Sequence, residues 1–294
     1  MVHLGRTSGL ACAAVLIALA GCGSSSSSVS GDPVARAAFV STGRPGYQLS
    51  FSLKINSGAL PAPITGTGNG SYNVPTRSGS VALDMDFSSV PQVVQALGSS
   101  TMRVEEVIAK TTFYIKLPAA ITDRVPAFAG KPWLKVDIAK AGAAAGIPGL
   151  SSLTSNPTSS DPGQLLQYLR ATSGGTVTKV GSDSVNGVQA THYRAKVSLD
   201  RVPGALPPAS RTSARQAVAA LERMTHLHEI PVDVWVDNGN LVRRVGMSFN
   251  ETVQGQSLGV AITINILNYG PQPRPALPPA DQVTDASTLA GASG

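Results

Sequence analysis

Cysteine is nearly absent: among 294 residues there are only Cys12 and Cys22. Cys12 lies in an apolar leader, so the exported part is left without a disulfide and must be stabilised by burial. Charge is sparse too, at 14% of residues, and no basic run interleaves with aromatics, which speaks against nucleic acid as a partner. No Gly-x-Ser-x-Gly nucleophile elbow occurs, and Gly246-Met247-Ser248 falls inside a strand where it cannot act as one. With His3 in the leader, the usable histidines are His192, His226 and His228. His226-Leu227-His228-Glu229 would place two imidazoles on one side of a strand, but no third ligand follows at a metal-site spacing. Asp84 with Asp86, and Asp233 with Asp237, share polar strand faces with nothing apolar beside them to raise a pKa, so they read as solvated rather than as acid/base pairs. These absences predict no enzyme, no catalytic residue, no metal site and no cofactor. No internal repeat is visible.

What is present begins at the N-terminus. Arg6 precedes an apolar run from Leu10 to Ala20, then Leu19-Ala20-Gly21-Cys22. A basic start, a short apolar core and small residues at the cut make a secretory signal, too short to span a bilayer as a stable helix. Leu-Ala-Gly-Cys resembles the bacterial lipobox, which implies removal of residues 1–21 and lipidation of Cys22. The expected location is the outer side of the cell membrane, held by palmitate-type acyl chains. Of the 23 basic residues only Arg6 leaves with the signal, so 22 remain against 17 acidic ones. Any attraction to anionic headgroups is then secondary to the anchor. Residues 22–46, with Ser24 to Ser30 at their start, read as a lipidated flexible tether.

Residues 47–270 read as one folded domain. The stretch from Ile230 to Asn250 organises it, with Val232, Val234 and Val236 on one face and Asp233, Trp235 and Asp237 on the other. Asn238-Gly239 predicts a two-residue primed turn that pairs Val236 with Leu241, Val232 with Val245 and Asp233 with Arg244. Arg243 then lands misplaced on the apolar face. A third strand follows, with Leu258, Val260, Ile262, Ile264 and Ile266 alternating. Upstream, Tyr47 to Ile55, Val81 to Phe87, Met102 to Ile108, Thr111 to Leu117, Trp133 to Asp137, Thr176 to Gly181 and Val185 to Leu199 read as strands. Gly66 to Gly70 reads as an edge strand or turn. Short helices are expected at Val90 to Leu97, from Asp161-Pro162 to Gly174, and from a Ser213/Gln216 capping box along Ala214, Val218 and Leu221. Ala139 to Pro157 is a weakly determined connection. Residues 271–294 read as a proline-rich disordered tail. About ten strands, with helices between runs of them and no βαβ alternation, predict an antiparallel α+β domain.

The order of these features carries a resemblance: the lipobox, Gly130-Lys131-Pro132-Trp133, the Asp161-to-Arg170 helix, Val180 to Tyr193, and Pro231 to Asp237. Most of Tyr47 to Gly270 is similar to the actinobacterial lipoproteins of the LppX/LprG type, relatives of the LolA/LolB lipid carriers. The resemblance implies one strongly curved antiparallel sheet, a half-barrel, with helices across its concave face. Between sheet and helices it implies a hydrophobic cavity for a lipid or glycolipid, an envelope transporter as partner, and a monomer. Candidate lining residues on apolar strand faces are Leu53, Leu83, Met85, Phe113, Ile115, Val234, Met247, Phe249, Ile262 and Ile264. The alternative is an envelope sensor or structural lipoprotein with a packed interior. Alternation alone does not separate the two, nor does it settle whether Trp133 and Trp235 line a cavity or pack outside.

Overall fold

The alternating segments pair into one twelve-stranded sheet. The computed structural model describes residues 32–58, 60–124, 126–128, 130–137, 166, 168–172, 176–206, 208, 211–225, 228–253 and 256–290. The strands are β1 (Gly46–Ser57), β2 (Ile64–Asn73), β3 (Ser78–Asp86), β4 (Thr101–Ala109), β5 (Thr112–Lys116), β6 (Trp133–Asp137), β7 (Thr178–Val185), β8 (Val188–Ser198), β9 (Glu229–Asp237), β10 (Val242–Val253), β11 (Gln256–Tyr269) and β12 (Val283–Asp285). Their order is β12-β6-β5-β4-β3-β2-β1-β11-β10-β9-β8-β7, open at both edges. Every pairing is antiparallel except that of β12 with β6. Helices are α1 (Pro33–Thr42), α2 (Pro91–Leu97), α3 (Ala119–Thr122), α4 (Val202–Ala205), α5 (Arg211–Thr225) and α6 (Ala286–Ala290). The α+β class stands. No helix among the described residues is long and apolar enough to cross a membrane.

The domain starts earlier than the sequence implies. Residues 33–42 are not tether but α1, whose Val34, Ala37 and Ala38 are fully buried. Asp32 caps it, its Oδ1 accepting from the backbone N–H groups of Val34 at 2.8 Å and Ala35 at 3.0 Å, with Pro33 in the first turn. Oδ2 of Asp32 also accepts from the Thr172 hydroxyl at 2.9 Å, which ties α1 to the 3-10 turn Leu169–Thr172. The tail differs as well. Residues 271–279 have no regular structure, as their prolines require, but β12 then adds a strand and α6 a short helix. Helix α5 begins at Arg211, which puts Ser213 inside it rather than at its cap. The signal, Cys22, the connection Ala139 to Pro157 and the start of the Asp161 helix lie outside the described residues.

The organising hairpin forms with a different turn. Asn240, at φ 56°, takes the left-handed conformation, not Asn238 or Gly239. Asp237 holds the turn: its Oδ1 accepts from Gly239 at 2.8 Å and Leu241 at 2.9 Å. Val236 therefore pairs with Val242 instead of Leu241, a slip of one residue that would reverse every later side chain. A β-bulge at Arg243 adds a second, so Val245 and Met247 face inward against Val234 and Val232. The bulge also removes the misfit. Arg243 Nε donates to Asp237 Oδ2 at 2.7 Å, and its guanidinium lies 5.5 Å from the Tyr269 ring centre. The loosened backbone is satisfied too: Val242 N–H donates to Ser41 Oγ of α1, and its carbonyl accepts from the Tyr269 hydroxyl at 2.7 Å. Burial pushes that phenol up to about 12. The primed turn sits elsewhere, at Asn186-Gly187 between β7 and β8, with φ of 51° and 80°.

Candidate ligand-binding face

Registers carry one face across the sheet. Val104, Leu83, Gly68, Phe51, Ile264, Val245 and Val234 pair in turn from β4 to β9. The next row runs Met102, Met85, Gly66, Leu53, Ile262, Met247 and Val232. Directly paired residues point the same way. All ten candidates lie on this apolar face, since Phe249 pairs with Val260 of β11, and Phe113 and Ile115 pair with Ile108 and Glu106 of β4.

Burial along these rows is uneven. Val234 is 0% exposed, Val245 1% and Val232 1%. They are packed under α1, the 3-10 turn, α4 and α5 through Val34, Ala37, Leu169, Val202 and Ala214. Val234 therefore belongs to a closed core and lines no open space, with Met247 at its margin. Further along the same rows Leu53, Leu83, Ile262 and Ile264 are only half-buried, as are Phe113, Ile115 and Phe249, and Met85 is nearly closed at 9%. A second closed cluster, Tyr47, Leu49, Tyr72, Ile108 and Ile266, seals one end of the face, with the two tyrosine rings stacked at 5.9 Å.

β2 is an interior strand, not an edge, and its glycines shape the open part. A Cβ on Gly68 would sit 2.3 Å from Phe51 Cζ, and one on Gly66 2.5 Å from Met85 Sδ. Neighbouring side chains lie directly over this strand because it carries none there.

One charged side chain interrupts the face between β1 and β6. Glu106 stands opposite Val81 and Ile115, with Val104 and Ile108 beside it along β4. Among the described residues it forms no ion pair and no hydrogen bond, and burial raises its carboxyl above the ordinary value. Its neighbour Glu105 points to the other face, where Arg103 at 3.0 Å and Lys116 at 3.1 Å hold its carboxyl below the usual range. Strand alternation through Met102, Val104 and Ile108 was the signal for Glu106.

The opposite face is polar. Asp84 pairs with Arg103 at 2.8 Å, and Asp86 caps a turn through the Ser88 N–H at 2.8 Å, which lowers its pKa. Asp233 accepts from Arg194 at 3.3 Å and meets His192 Nε2 at 2.7 Å. The His192 ring stacks on Trp235 at 4.1 Å, with Arg244 5.4 Å away over the same indole. Trp235 is thus outer packing. Trp133, with Lys116 5.8 Å over its ring, borders an open groove of about 440 Å³ on this polar side with Asn69, Ser80, Glu105 and Leu267. His228 is exposed and lies 3.3 Å from Glu222, while His226 falls outside the described residues. Among the described residues no three His, Cys, Asp or Glu side chains gather as a metal set.

No protein-family model matches the chain, and no curated protein matches it. Among solved structures it is similar to LprF from Mycobacterium bovis, at 13% identity over 83% of this chain and 94% of that one, with a TM-score of 0.41. It is also similar to the Mycobacterium tuberculosis lipoprotein LppX, at 10% identity over 79% and 94%, TM-score 0.33. The Pseudomonas aeruginosa MucA/MucB complex follows at 13% identity over 85% of this chain and 57% of that one, TM-score 0.30. LprF and LppX are of the lipoprotein type that the sequence resembles. At such identities no residue role carries over from them.

Proposed function

We propose that this chain is a lipid-binding lipoprotein, anchored through Cys22 on the outer side of the cell membrane, that holds a lipid or glycolipid acyl chain against the open part of its apolar face. The observation that carries this reading is the pair of lateral rows. The same row that is closed at Val245 and Val234 is half-open at Ile264, Phe51 and Leu83. Apolar area left half-exposed in a continuous patch marks a binding surface more often than an incomplete core. Each buried methylene contributes about 0.8 kcal/mol, so one acyl chain binds appreciably to a preformed apolar surface. Helices over a concave sheet, as the resemblance implies, would complete the cradle. Carrying the lipid to an envelope transporter is the corresponding role, performed as a monomer and without catalysis. The carboxylates of the polar face support a binder rather than an enzyme, being engaged in ion pairs and turn caps.

The test is lipid retention. Full-length protein should co-purify with lipid identifiable by mass spectrometry. Ile264→Trp and Leu83→Trp, which fill the open rows, should lower the retained amount while the circular dichroism spectrum is kept. A wild-type protein that never retains lipid, with a fold destabilised by both tryptophans, would support the packed envelope or sensor reading instead.

A further inference from the structure

The lipid reading leaves one group unexplained. Glu106 occupies a position on the apolar face that strand alternation reserves for a hydrophobic residue. A half-buried carboxylate without a partner is costly unless something satisfies it. Its place is informative. The row beyond it along β4 is closed, with Ile108 and Tyr72 both 2% exposed, whereas the rows on its other side, through Leu83 and Leu53, are half-open. Glu106 thus marks where the open stretch meets the sealed tyrosine end. Directly opposite are Val81 and Ile115, neither able to donate a hydrogen bond from its side chain. Glu105, one residue earlier, shows what β4 does with a carboxylate that only needs solubility: it faces the polar side and takes two cations.

We propose that Glu106 is the specificity-determining contact of this face, accepting a hydrogen bond from a hydroxyl or ammonium group of the ligand. The face then selects lipids that bear such a donor over equally long lipids that offer only acceptors. The inference rests on the lipid-binding reading above. A donor that reaches Glu106 ends its desolvation without a partner, whereas an ester or carboxylate there adds acceptor to acceptor. Loss of a hydrogen bond to a charged group in a buried site is worth about tenfold or more in affinity.

The experiment measures binding of radiolabelled hexadecanol, hexadecylamine and methyl hexadecanoate to the full chain held in amphipol. Wild type should prefer the alcohol or the amine over the methyl ester by about tenfold. Glu106→Leu should bind all three within about twofold of one another, with ester binding kept or improved. Glu106→Gln, which keeps an acceptor, should retain part of the preference, and a normal melting transition in each variant shows the fold intact. Equal binding of the three probes by wild type, or an undiminished preference in Glu106→Leu, overturns the role of Glu106 and leaves the lipid reading standing. Failure of every probe to bind wild type overturns both.

Discussion

Two regions of one sheet face, built from the same residue types, end in different states. Over β8 to β10 the face carries Val232, Val234 and Val245, each at most 1% exposed. Over the open rows of β1, β3, β5 and β11 it carries Leu, Ile and Phe such as Phe51, Leu53, Leu83, Ile262 and Ile264, larger than valine, yet half-buried. Hydrophobicity does not account for the difference. Cover does: α1, the Leu169–Thr172 turn, α4 and α5 bring small residues such as Ala37, Ala38 and Ala214 down onto the valines, and close packing follows. The open region has larger side chains, a glycine strand at its centre and one carboxylate. A region meant only to be packed has no need of Glu106.

The sharpest way to break the comparison is at the hairpin that sets the closed region's register. Asp237→Ala should destabilise by about 3–5 kcal/mol, because it strands the Arg243 guanidinium and removes the oxygen that accepts from the Gly239 and Leu241 N–H groups of the turn. The side chains of that pair are only 17% and 8% exposed. Thermal melting reads the loss, and a shift near zero would mean the bulge is held by α1 alone.

Paired truncations give the next effect. Val245→Ala in the closed region should cost about 2–3 kcal/mol, whereas Leu83→Ala in the open region should cost about 1 kcal/mol although it deletes the larger side chain. Urea unfolding of both variants in lipid-free protein compares them, and equal costs would erase the distinction between the regions.

The carboxylate predicts a pH dependence. Below its ordinary value of 4.5, Glu106 is protonated in both folded and unfolded states and contributes nothing to the pH slope. As pH rises past that value the unfolded state ionises first while burial keeps the folded carboxyl protonated, so stability falls until the raised folded pKa is passed. Glu106→Gln should remove this decline, and the gap between variant and wild type should widen with rising pH and then level off. Unfolding midpoints across the acid range measure it; parallel curves would show that Glu106 is freely solvated.

The smallest effect is expected on the polar face. Arg103→Ala breaks ion pairs to Asp84 and Glu105, but Arg103 and Asp84 are both 54% exposed, so the cost should stay within about 1 kcal/mol. A loss of several kcal/mol would give this face a structural weight that its solvation denies.

Much of this was legible in the sequence. Alternation placed each of the ten candidates on the apolar face of its own strand, a placement that survives any even change of register, and the pairing registers join those faces into one. It could not locate the register itself. At Asn238-Gly239 the preceding Asp237 captured the turn N–H groups and moved the left-handed residue to Asn240, while Asn186-Gly187 formed the primed turn inside what read as one strand. Helix α1 was announced by Asp32-Pro33, the same pair that marked the Asp161-Pro162 start, but the serine run before it drew it into the tether. Which of the ten residues are closed depends on the helices that cover them, and apolar strand positions carry no record of their cover. Val234 belonged with the core for that reason.

A photoactivatable lipid with a diazirine midway along its acyl chain tests the central claim most directly. After irradiation of the bound full-length protein, peptide mapping should place the label on β1, β3 or β11, at side chains such as Phe51, Leu83 and Ile264, and leave Val234 and Val245 unmarked. Label confined to the polar groove beside Trp133, or spread evenly over the surface, would contradict it.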